Sequence, residues 1–287
     1  MDRQHISIQQ CYLEACRLEL RAIKPGNVGY HADGHGMRVE QFESSAEVSA
    51  EALFSPSQCV GERVYNAVKA THEAVADNTN LGIILLAAPM IEALAVRSNN
   101  AILQDSLQDV LAALSLQDAK YVYRAIQLAM PGGMGRVDEQ DVANEPTVTL
   151  LEAMQMSADK DRIAYQYAHK YADIFEHNLP TYKQYLQRWE SPQWATTAIF
   201  LSQWLRVPDS LIIRKKGLLK AREISDMIAP LASQVLASED PTDYVSDLLS
   251  LDNELKQVGI NPGTTADITV ATIFIAMLEM ASIRDDL

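Results

Sequence analysis

Hydrophobic side chains recur every three or four positions along most of this chain. Val64, Val68 and Val75 form one such series, and the same spacing continues through residues 107–114. This spacing gathers side chains on one face of an α-helix, whereas the two-residue alternation of a β-strand is nearly absent. The pattern therefore predicts an all-α protein, a single multi-helix domain of about a dozen helices that occupies residues 1–287.

The irregular pieces between the predicted helices are short, with two exceptions. Residues 24–37 and 131–146 form longer loops, and long ordered loops in compact domains often carry function. The predicted helices are Ile6–Ile23, Val39–Phe54, Gly61–Asp77, Leu81–Val96, Leu103–Leu114, Asp118–Met130, Val148–Ala158, Lys160–Glu176, Thr181–Trp189, Trp194–Leu205, Leu218–Ala237, Asp243–Val258 and Thr265–Ile283.

Composition and charge narrow the class of protein. The chain has only 12 glycines and 11 prolines in 287 residues, fewer than turn-rich all-β folds need. Its 24 basic and 38 acidic residues give a net charge of −14, which opposes non-specific binding to nucleic acid or to anionic lipid. We therefore expect neither nucleic acid nor a membrane as a partner, and an anionic ligand would need a local basic cluster.

Cysteine usage and hydropathy bear on the cellular compartment. Cys11, Cys16 and Cys59 are an odd number without Cys-x-x-Cys spacing, which favours neither a disulfide framework nor a zinc site. No uninterrupted apolar run approaches the ~20 residues of a membrane-spanning helix, and the N-terminus lacks a signal-type apolar region. We expect a cytoplasmic protein.

The loop at residues 24–37 concentrates side chains that can do chemistry. It contains Asn27, Asp33 and His35 among several glycines. A helix stop explains Pro25-Gly26-Asn27 and nothing more. The other glycines expose backbone N–H groups, and the aspartate and histidine offer proton-transfer groups. This loop is a candidate part of a catalytic site.

The segment Asn261–Asp267, with the sequence Asn-Pro-Gly-Thr-Thr-Ala-Asp, has two interpretations. Thr264 and Asp267 fit a capping box, in which Thr264 is the N-cap residue and Asp267 is the third residue of the helix. The same helix N-terminus would also offer N–H groups to a phosphate or a carboxylate. The residues alone leave both interpretations open.

Three further segments carry candidate binding residues. Arg136 lies in a glycine-rich segment that lacks P-loop spacing and fits either an anion nest or a solvated turn. Arg214 and Lys215 belong to the densest basic cluster, which fits either a polyanion site or the C-terminal dipole of a helix. Asn78 and Asn80 precede an apolar helix, where an N-cap alone would explain an asparagine.

Taken in chain order, these motifs resemble the triphosphoribosyl-dephospho-CoA synthase family. They are Lys-Pro-Gly with a downstream His and Met, Asn-Thr-x-x-Gly, Pro-Gly-Gly, Arg-Lys-x-Gly and Asn-Pro-Gly-Thr-x-Ala-Asp, and they span residues 24–267. The resemblance implies an all-helical enzyme that uses ATP as a ribosyl donor. In that reaction the ribose 2′-hydroxyl of dephospho-CoA attacks the anomeric carbon of ATP, adenine leaves, and the triphosphate is retained. The product serves prosthetic-group synthesis for citrate lyase or malonate decarboxylase.

The resemblance also implies roles for individual residues. Such chemistry needs a base for the hydroxyl, a hydrogen bond to the leaving purine, and cations with Mg²⁺ for the triphosphate. We therefore expect Asp33 and His35 to be catalytic and Asp267 to bind Mg²⁺, with ATP as a substrate and a small phosphorylated molecule as the partner. The residues expected to bind substrate are Lys24, Asn27, Asn78, Asn80, Arg136, Arg214, Lys215, Asn261 and Thr264.

Two departures from the family pattern keep other functions open. Asn80 and Leu81 stand where well-known members have histidine and lysine, and Asp33, His35 and Met37 alternate where members have His-x-Asp-Met. The chain looks like the branch associated with tetrahydromethanopterin-linked one-carbon metabolism, so the acceptor could be a precursor in that pathway. A non-catalytic helical protein that binds a ligand or a carrier protein is the alternative from another class. Formation of a homodimer is a further expectation.

Overall fold

The computed structural model describes residues 7–97, 102–129 and 144–280. These residues contain fourteen α-helices, a π-helix and a 3₁₀-helix, and no β-strand forms among them. The prediction of an all-α fold is confirmed. The described residues group into two compact units, a first unit of residues 7–40 and 173–280 and a second unit of residues 41–172 with the gaps above. The assignment of a single domain to residues 1–287 stays a prediction.

The helices follow one another with short connections. In chain order they are α1 (Ile8–Arg21), α2 (Val39–Leu53), α3 (Val60–Val75), α4 (Leu81–Val96), α5 (Leu103–Ala113), α6 (Leu116–Ala129), α7 (Leu150–Ser157), α8 (Arg162–Ala168), the π-helix (Asp173–Asn178), α9 (Leu179–Trp189), α10 (Pro192–Arg206), α11 (Ser210–Lys216), α12 (Leu218–Ala237), the 3₁₀-helix (Pro241–Tyr244), α13 (Val245–Gln257) and α14 (Gly263–Met280).

Local capping residues determine where several helices begin. Before α1, the Ser7 side chain accepts from the Gln10 backbone N–H while the Gln10 side chain accepts from the Ser7 N–H. Thr149 and Glu152 form the same reciprocal pair at the start of α7. These capping boxes satisfy N–H groups that the first helical turn leaves without partners.

In the second unit, α4 continues across Pro89, and the hydroxyl groups of two tyrosines donate to carbonyl groups in the turn before it. Proline has no N–H and cannot donate to the Leu85 carbonyl four residues earlier. The Tyr167 hydroxyl donates to the Leu85 carbonyl at 2.6 Å, and the Tyr171 hydroxyl donates to the Leu86 carbonyl at 3.0 Å. Both tyrosines are buried, so these carbonyls are satisfied without water.

The prediction of one continuous helix over Lys160–Glu176 is wrong. α8 ends at Ala168, and Lys170 and Tyr171 follow with φ of +55° and +59°. Left-handed backbone costs roughly 1–2 kcal/mol for each non-glycine residue. The buried, hydrogen-bonded side chain of Tyr171 stabilises this interruption, and helical structure resumes as the π-helix.

In the first unit, α14 is the central helix. It contacts α1, α9, α10 and α11, and the rings of Tyr12 and Phe274 pack in a T-shaped arrangement with 5.9 Å between centroids. Among the described helices, α14 alone is long and apolar enough to cross a bilayer, and 72% of it is buried inside the protein. Its apolar surface is therefore covered by neighbouring helices.

Candidate functional site

The first loop, residues 24–37, contains two tight turns. Backbone N–H and C=O groups bond reciprocally across residues 29–32 and again across residues 34–37. At the centre of the second turn, His35 and Gly36 have φ of +58° and +79°, the combination that defines a type I′ turn. The turn thus holds His35 in a backbone conformation that is uncommon for a residue with a side chain.

Lys24 anchors the start of the first loop from inside the protein. Its side chain is 0% exposed, and its Nζ lies 3.0 Å from a carboxylate oxygen of Glu19. The same ammonium donates to the Val28 carbonyl at 2.8 Å and to the Asn27 amide oxygen at 3.3 Å. Burial raises the pKa of Glu19, and the positive charge of Lys24 opposes that rise. Lys24 therefore has a structural role, and its contact with substrate stays a prediction.

The first loop also meets the segment that precedes α14. The Asn27 amide donates to the Asn261 amide oxygen at 3.0 Å. Beside this contact, Gly26 has φ of +84°, and a Cβ on it would lie 3.0 Å from the Ile260 carbonyl oxygen and 3.1 Å from Pro262. Only glycine fits this close approach without strain. The structure thus brings two of the predicted motifs together.

Asp252 and Lys256, one turn apart on α13, hold the first loop at two points. Asp252 accepts the Gly26 N–H at 2.8 Å, and Lys256 donates to the Ala32 carbonyl at 2.9 Å. The two side chains are 7% and 10% exposed and lie 2.8 Å apart. Together with Lys24, they line a small surface concavity.

Sequence reasoning missed Asp252 and Lys256. An acidic and a basic residue four positions apart are typical of a solvent-exposed helix face, so this pair stands out in no way. The contact of Asp252 with Gly26 spans 226 positions, and no local pattern indicates it.

His35 is held with one ring nitrogen committed. Its Nε2 lies 2.7 Å from the Gly26 carbonyl oxygen. A carbonyl only accepts, so Nε2 carries the hydrogen, and Nδ1 is the proton-accepting nitrogen of the neutral ring. Burial lowers the pKa of His35, and the positive charges of Lys256 and Lys215 lower it further against the hydrogen bond to Gly26. The imidazole is therefore neutral near pH 7, as a general base must be.

The basic cluster lies at the C-terminal end of α11, where no helix is predicted from the sequence. That omission is corrected by the structure, since α11 spans Ser210–Lys216. Lys215 and Lys216 are exposed and Arg214 is half-buried. Lys215 acts electrostatically on His35, and a Cβ on Gly259 would lie 3.7 Å from the ammonium of Lys216. These cations are therefore close to the first loop and to the α13–α14 connection.

A buried carboxylate, Asp209, ties the start of α11 to the start of α14. One oxygen accepts the backbone N–H groups of Leu211 and Ile212 at 2.8 and 3.0 Å. The other oxygen accepts the N–H and the hydroxyl of Thr265 at 2.7 and 2.8 Å. Burial raises the pKa of Asp209, and the bonds to Thr265, Leu211 and Ile212 act against that rise.

The capping-box interpretation of Thr264 and Asp267 is wrong. α14 already begins at Gly263, so Thr264 lies within the first helical turn, where its hydroxyl accepts from the Ser210 hydroxyl at 3.0 Å. The carboxylate that caps α14 comes instead from Asp209, far away in sequence. Sequence alone does not indicate a cap that reaches across space.

Asp33 and Asp267 have different environments. Asp33 is exposed and accepts the Val39 N–H at 3.1 Å, which caps α2. Asp267 is half-buried near the start of α14. Among the residues that the structure describes, no group of three or more His, Cys, Asp or Glu side chains could hold a metal ion. The catalytic role of Asp33 and the metal-binding role of Asp267 stay predictions.

The remaining candidates for substrate binding are Asn78, Asn80 and Arg136. In the second unit, the Asn80 amide donates to the Ser45 carbonyl and to the Ser49 hydroxyl, both at 3.2 Å. Asn78 accepts the Leu81 N–H at 3.3 Å. Asn78 thus caps the first residue of α4, whereas the Asn80 side chain ties the start of α4 to α2 and makes no capping bond. Substrate contacts by both asparagines stay predictions. Arg136 lies outside the described residues.

Comparisons with known proteins agree with this all-helical architecture. The model of the CitG family, described as ATP:dephospho-CoA triphosphoribosyl transferase, matches residues 5–285. A crystal structure from Archaeoglobus fulgidus, provisionally named a triphosphoribosyl-dephospho-CoA synthase, matches with a TM-score of 0.63 and 23% identity. The alignment covers 82% of this chain and 97% of that one, and at this identity it shows the fold alone. A search of curated proteins finds no match.

Proposed function

Because the chain belongs to the ATP:dephospho-CoA triphosphoribosyl transferase family, we propose that it transfers the triphosphoribosyl group of ATP to the 2′-hydroxyl of dephospho-CoA. The family match over residues 5–285 carries the proposal. A bond forms between the acceptor 2′-oxygen and C1′ of the ATP ribose, and the bond from C1′ to N9 of adenine breaks. The hydroxyl loses its proton, adenine leaves with a proton, and the product keeps the triphosphate.

His35 is the proposed general base for the attacking hydroxyl. Its Nε2–H is engaged by the Gly26 carbonyl, so its Nδ1 accepts the proton. Burial lowers the pKa of His35, and the charges of Lys256 and Lys215 lower it further, so the ring is neutral before the reaction begins. Protonation of His35 would then place a third positive charge beside Lys256 and Lys215. The phosphates of ATP would reduce the repulsion among these charges.

The triphosphate is proposed to bind at the end of α11. Lys215 and Lys216 are exposed there, and a −14 protein needs such a local cluster to attract an anion. In nucleotide sites, Mg²⁺ is usually held by one or two carboxylates together with phosphate oxygens. A single carboxylate, Asp267, fits that donor set, and the ion would neutralise charge on the phosphates when bound. Asp267 and Mg²⁺ therefore belong to the proposal as a pair.

A second candidate function keeps the chemistry and changes the acceptor. Asn80 and Leu81 replace the histidine and lysine of well-known members, and the Asn80 amide bonds to α2. A cation that those members carry is thus missing, which favours a different hydroxyl acceptor, such as a precursor in tetrahydromethanopterin-linked one-carbon metabolism.

The test is an assay of purified protein with ATP, Mg²⁺ and dephospho-CoA, analysed by chromatography and mass spectrometry. We expect adenine and the triphosphoribosyl product in equal amounts, and a strong loss of both with His35→Gln. Adenine released only with a pterin-type acceptor would establish the second candidate. Binding of ATP without adenine release for any acceptor would contradict both and support a non-catalytic role.

A further inference from the structure

A continuous chain of contacts leads from α13 to the imidazole of His35. Asp252 accepts the Gly26 N–H at 2.8 Å, and the Gly26 carbonyl accepts the Nε2–H of His35 at 2.7 Å. Gly26 thus donates its N–H to the carboxylate of Asp252 and accepts the Nε2–H of His35 with its carbonyl oxygen. Gly26 makes both contacts with a φ of +84°, a left-handed backbone conformation that favours glycine.

Asp252 is itself held by other contacts. Lys256 donates to the second oxygen of Asp252 at 2.8 Å and also to the Ala32 carbonyl at 2.9 Å. Asp252 and Lys256 therefore hold the segment before His35 at Gly26 and at Ala32. Lys256 also packs against Gly34, where a Cβ would lie 2.8 Å from its Cε. The carboxylate is 7% exposed, and so few alternative partners compete for it.

We infer that Asp252 is a positioning residue for the proposed reaction: by holding Gly26, it orients the Gly26 carbonyl, which in turn fixes the His35 ring with Nδ1 as the proton acceptor. This inference rests on the proposed function for its catalytic consequence. The orientation of the ring is a separate claim that does not depend on activity.

The chemistry of an aspartate suits this position. A peptide N–H needs only an acceptor, which asparagine also offers, whereas the ammonium of Lys256 favours a negative partner. The charged side chains that act on His35 are Lys215 from α11 and Asp252 and Lys256 from α13. Removing Asp252 would therefore loosen the ring and leave two cations beside it.

The test observes the ring directly. In the wild type, the Nε2–H of His35 is expected to exchange slowly enough to appear in a ¹H–¹⁵N spectrum of the imidazoles, assigned by its disappearance in His35→Gln. We expect Asp252→Ala to lose this resonance and Asp252→Asn, which keeps an acceptor for Gly26, to retain it. Glu254→Gln is the control: it removes one negative charge from an exposed position on the same helix and should leave the His35 resonance unchanged.

Kinetics of the same proteins connect the orientation to turnover. Misplacing a reacting group can cost about 10² in rate, so Asp252→Ala should lower kcat by roughly 10- to 100-fold with little change in KM for ATP. Asp252→Asn should recover a large part of that loss. If Asp252→Ala does not fold, Asp252→Glu replaces it, because a longer side chain keeps the charge beside Lys256 but displaces the acceptor from Gly26.

The outcomes separate the two claims. Retention of the His35 resonance in a folded Asp252→Ala or Asp252→Glu protein would overturn the inference, and so would its absence from the wild type. Loss of the resonance with unchanged turnover would uphold the positioning and contradict the assignment of His35 as the base. Loss of both, with recovery in Asp252→Asn, supports the inference in full.

Discussion

Burial determines what the two lysines of the candidate site, Lys24 and Lys215, can do. Lys24 is 0% exposed, and the carboxylate of Glu19 balances its charge. Lys215 is exposed at the end of α11, where its charge reaches His35 and solvent. The resemblance to the family implies the same substrate-binding role for both residues. The structure assigns Lys24 to the stability of the first loop and leaves Lys215 available to an anion.

Replacing Lys24 should destabilise the protein strongly. In Lys24→Met, the Glu19 carboxylate stays buried without its ion partner, and breaking such a pair typically costs about 3–5 kcal/mol in free energy of unfolding. Denaturant unfolding measures this change. Lys220→Met removes an exposed lysine paired with Glu223 and should cost about 0.5 kcal/mol or less. A wild-type unfolding midpoint for Lys24→Met would show that the buried pair does not stabilise the loop.

The pH dependence of turnover should show the lowered pKa of His35. Burial shifts this pKa below the ordinary value of 6.5, and the base form of the ring is the reactive one. As pH falls, kcat/KM should stay constant until below pH 6.5 and then decline. The folded state binds the proton less readily than the unfolded chain, so the contribution of His35 to stability also decreases as pH falls through this range.

A pH series of kcat/KM from about pH 5 to about pH 8 measures this profile. His35→Gln should show low activity without the same acidic decline. A half-maximal value above pH 6.5 in the wild type would mean that His35 is not the titrating base, since its environment lowers the pKa.

At the scale of elements, a helix is predictable from sequence where its apolar positions are periodic and no tertiary contact interrupts it. The bounds Leu81–Val96 and Leu218–Ala237 match α4 and α12 because long apolar series dominate both segments. The prediction of one helix over residues 160–176 is wrong because the hydrogen bond of Tyr171 to the Leu86 carbonyl overrides the local helical preference. Helix α11 is missed because it is only seven residues long, too short to establish a helical periodicity of apolar positions.

Some parts of the candidate site are likewise predictable from the sequence and others are not. The first loop and the segment before α14 are visible in the sequence because glycine, histidine, asparagine and aspartate in long loops indicate a site. The residues that hold these segments, Asp209, Asp252 and Lys256, are not visible. Their contacts join parts of the chain that are far apart in sequence, and only the fold creates them.

The link between α11 and α14 should depend on both oxygens of Asp209. Asparagine caps a helix as well as aspartate does, so Asp209→Asn should keep the bonds to Leu211 and Ile212. Its NH₂ group would, however, face the N–H of Thr265, leaving a buried donor unsatisfied at a cost of about 1–3 kcal/mol. Thermal and denaturant unfolding measure the loss.

Asp240→Asn provides the matched control for Asp209→Asn. Asp240 is exposed and uses a single oxygen for the N–H and hydroxyl of Thr242, which asparagine can also accept. Its melting temperature should match the wild type. Equal effects of the two substitutions would show that the second oxygen of Asp209 does not secure α14.

At the scale of the whole molecule, the net charge and the local charge act on an anionic substrate in opposite directions. The chain carries a net charge of −14, which would repel ATP at long range, whereas in the proposed site Lys215 and Lys216 would attract it at short range. The Debye length is about 8 Å at physiological ionic strength, so acidic residues beyond that distance are largely screened. With ATP at the proposed position beside α11, the nearby cations would therefore decide its affinity, even in a strongly acidic protein.

ATP affinity should consequently fall as salt increases. Screening within the site weakens the attraction of Lys215 and Lys216 for the phosphates, and replacing both with glutamine should weaken binding and flatten the salt dependence. Calorimetric titration with ATP and Mg²⁺ at several salt concentrations measures both effects. Lys69→Gln, at an exposed lysine of the second unit, changes the net charge without touching the cluster and should behave as the wild type. Affinity that rises with salt in the wild type would show that the net negative charge dominates and that the phosphates bind away from α11.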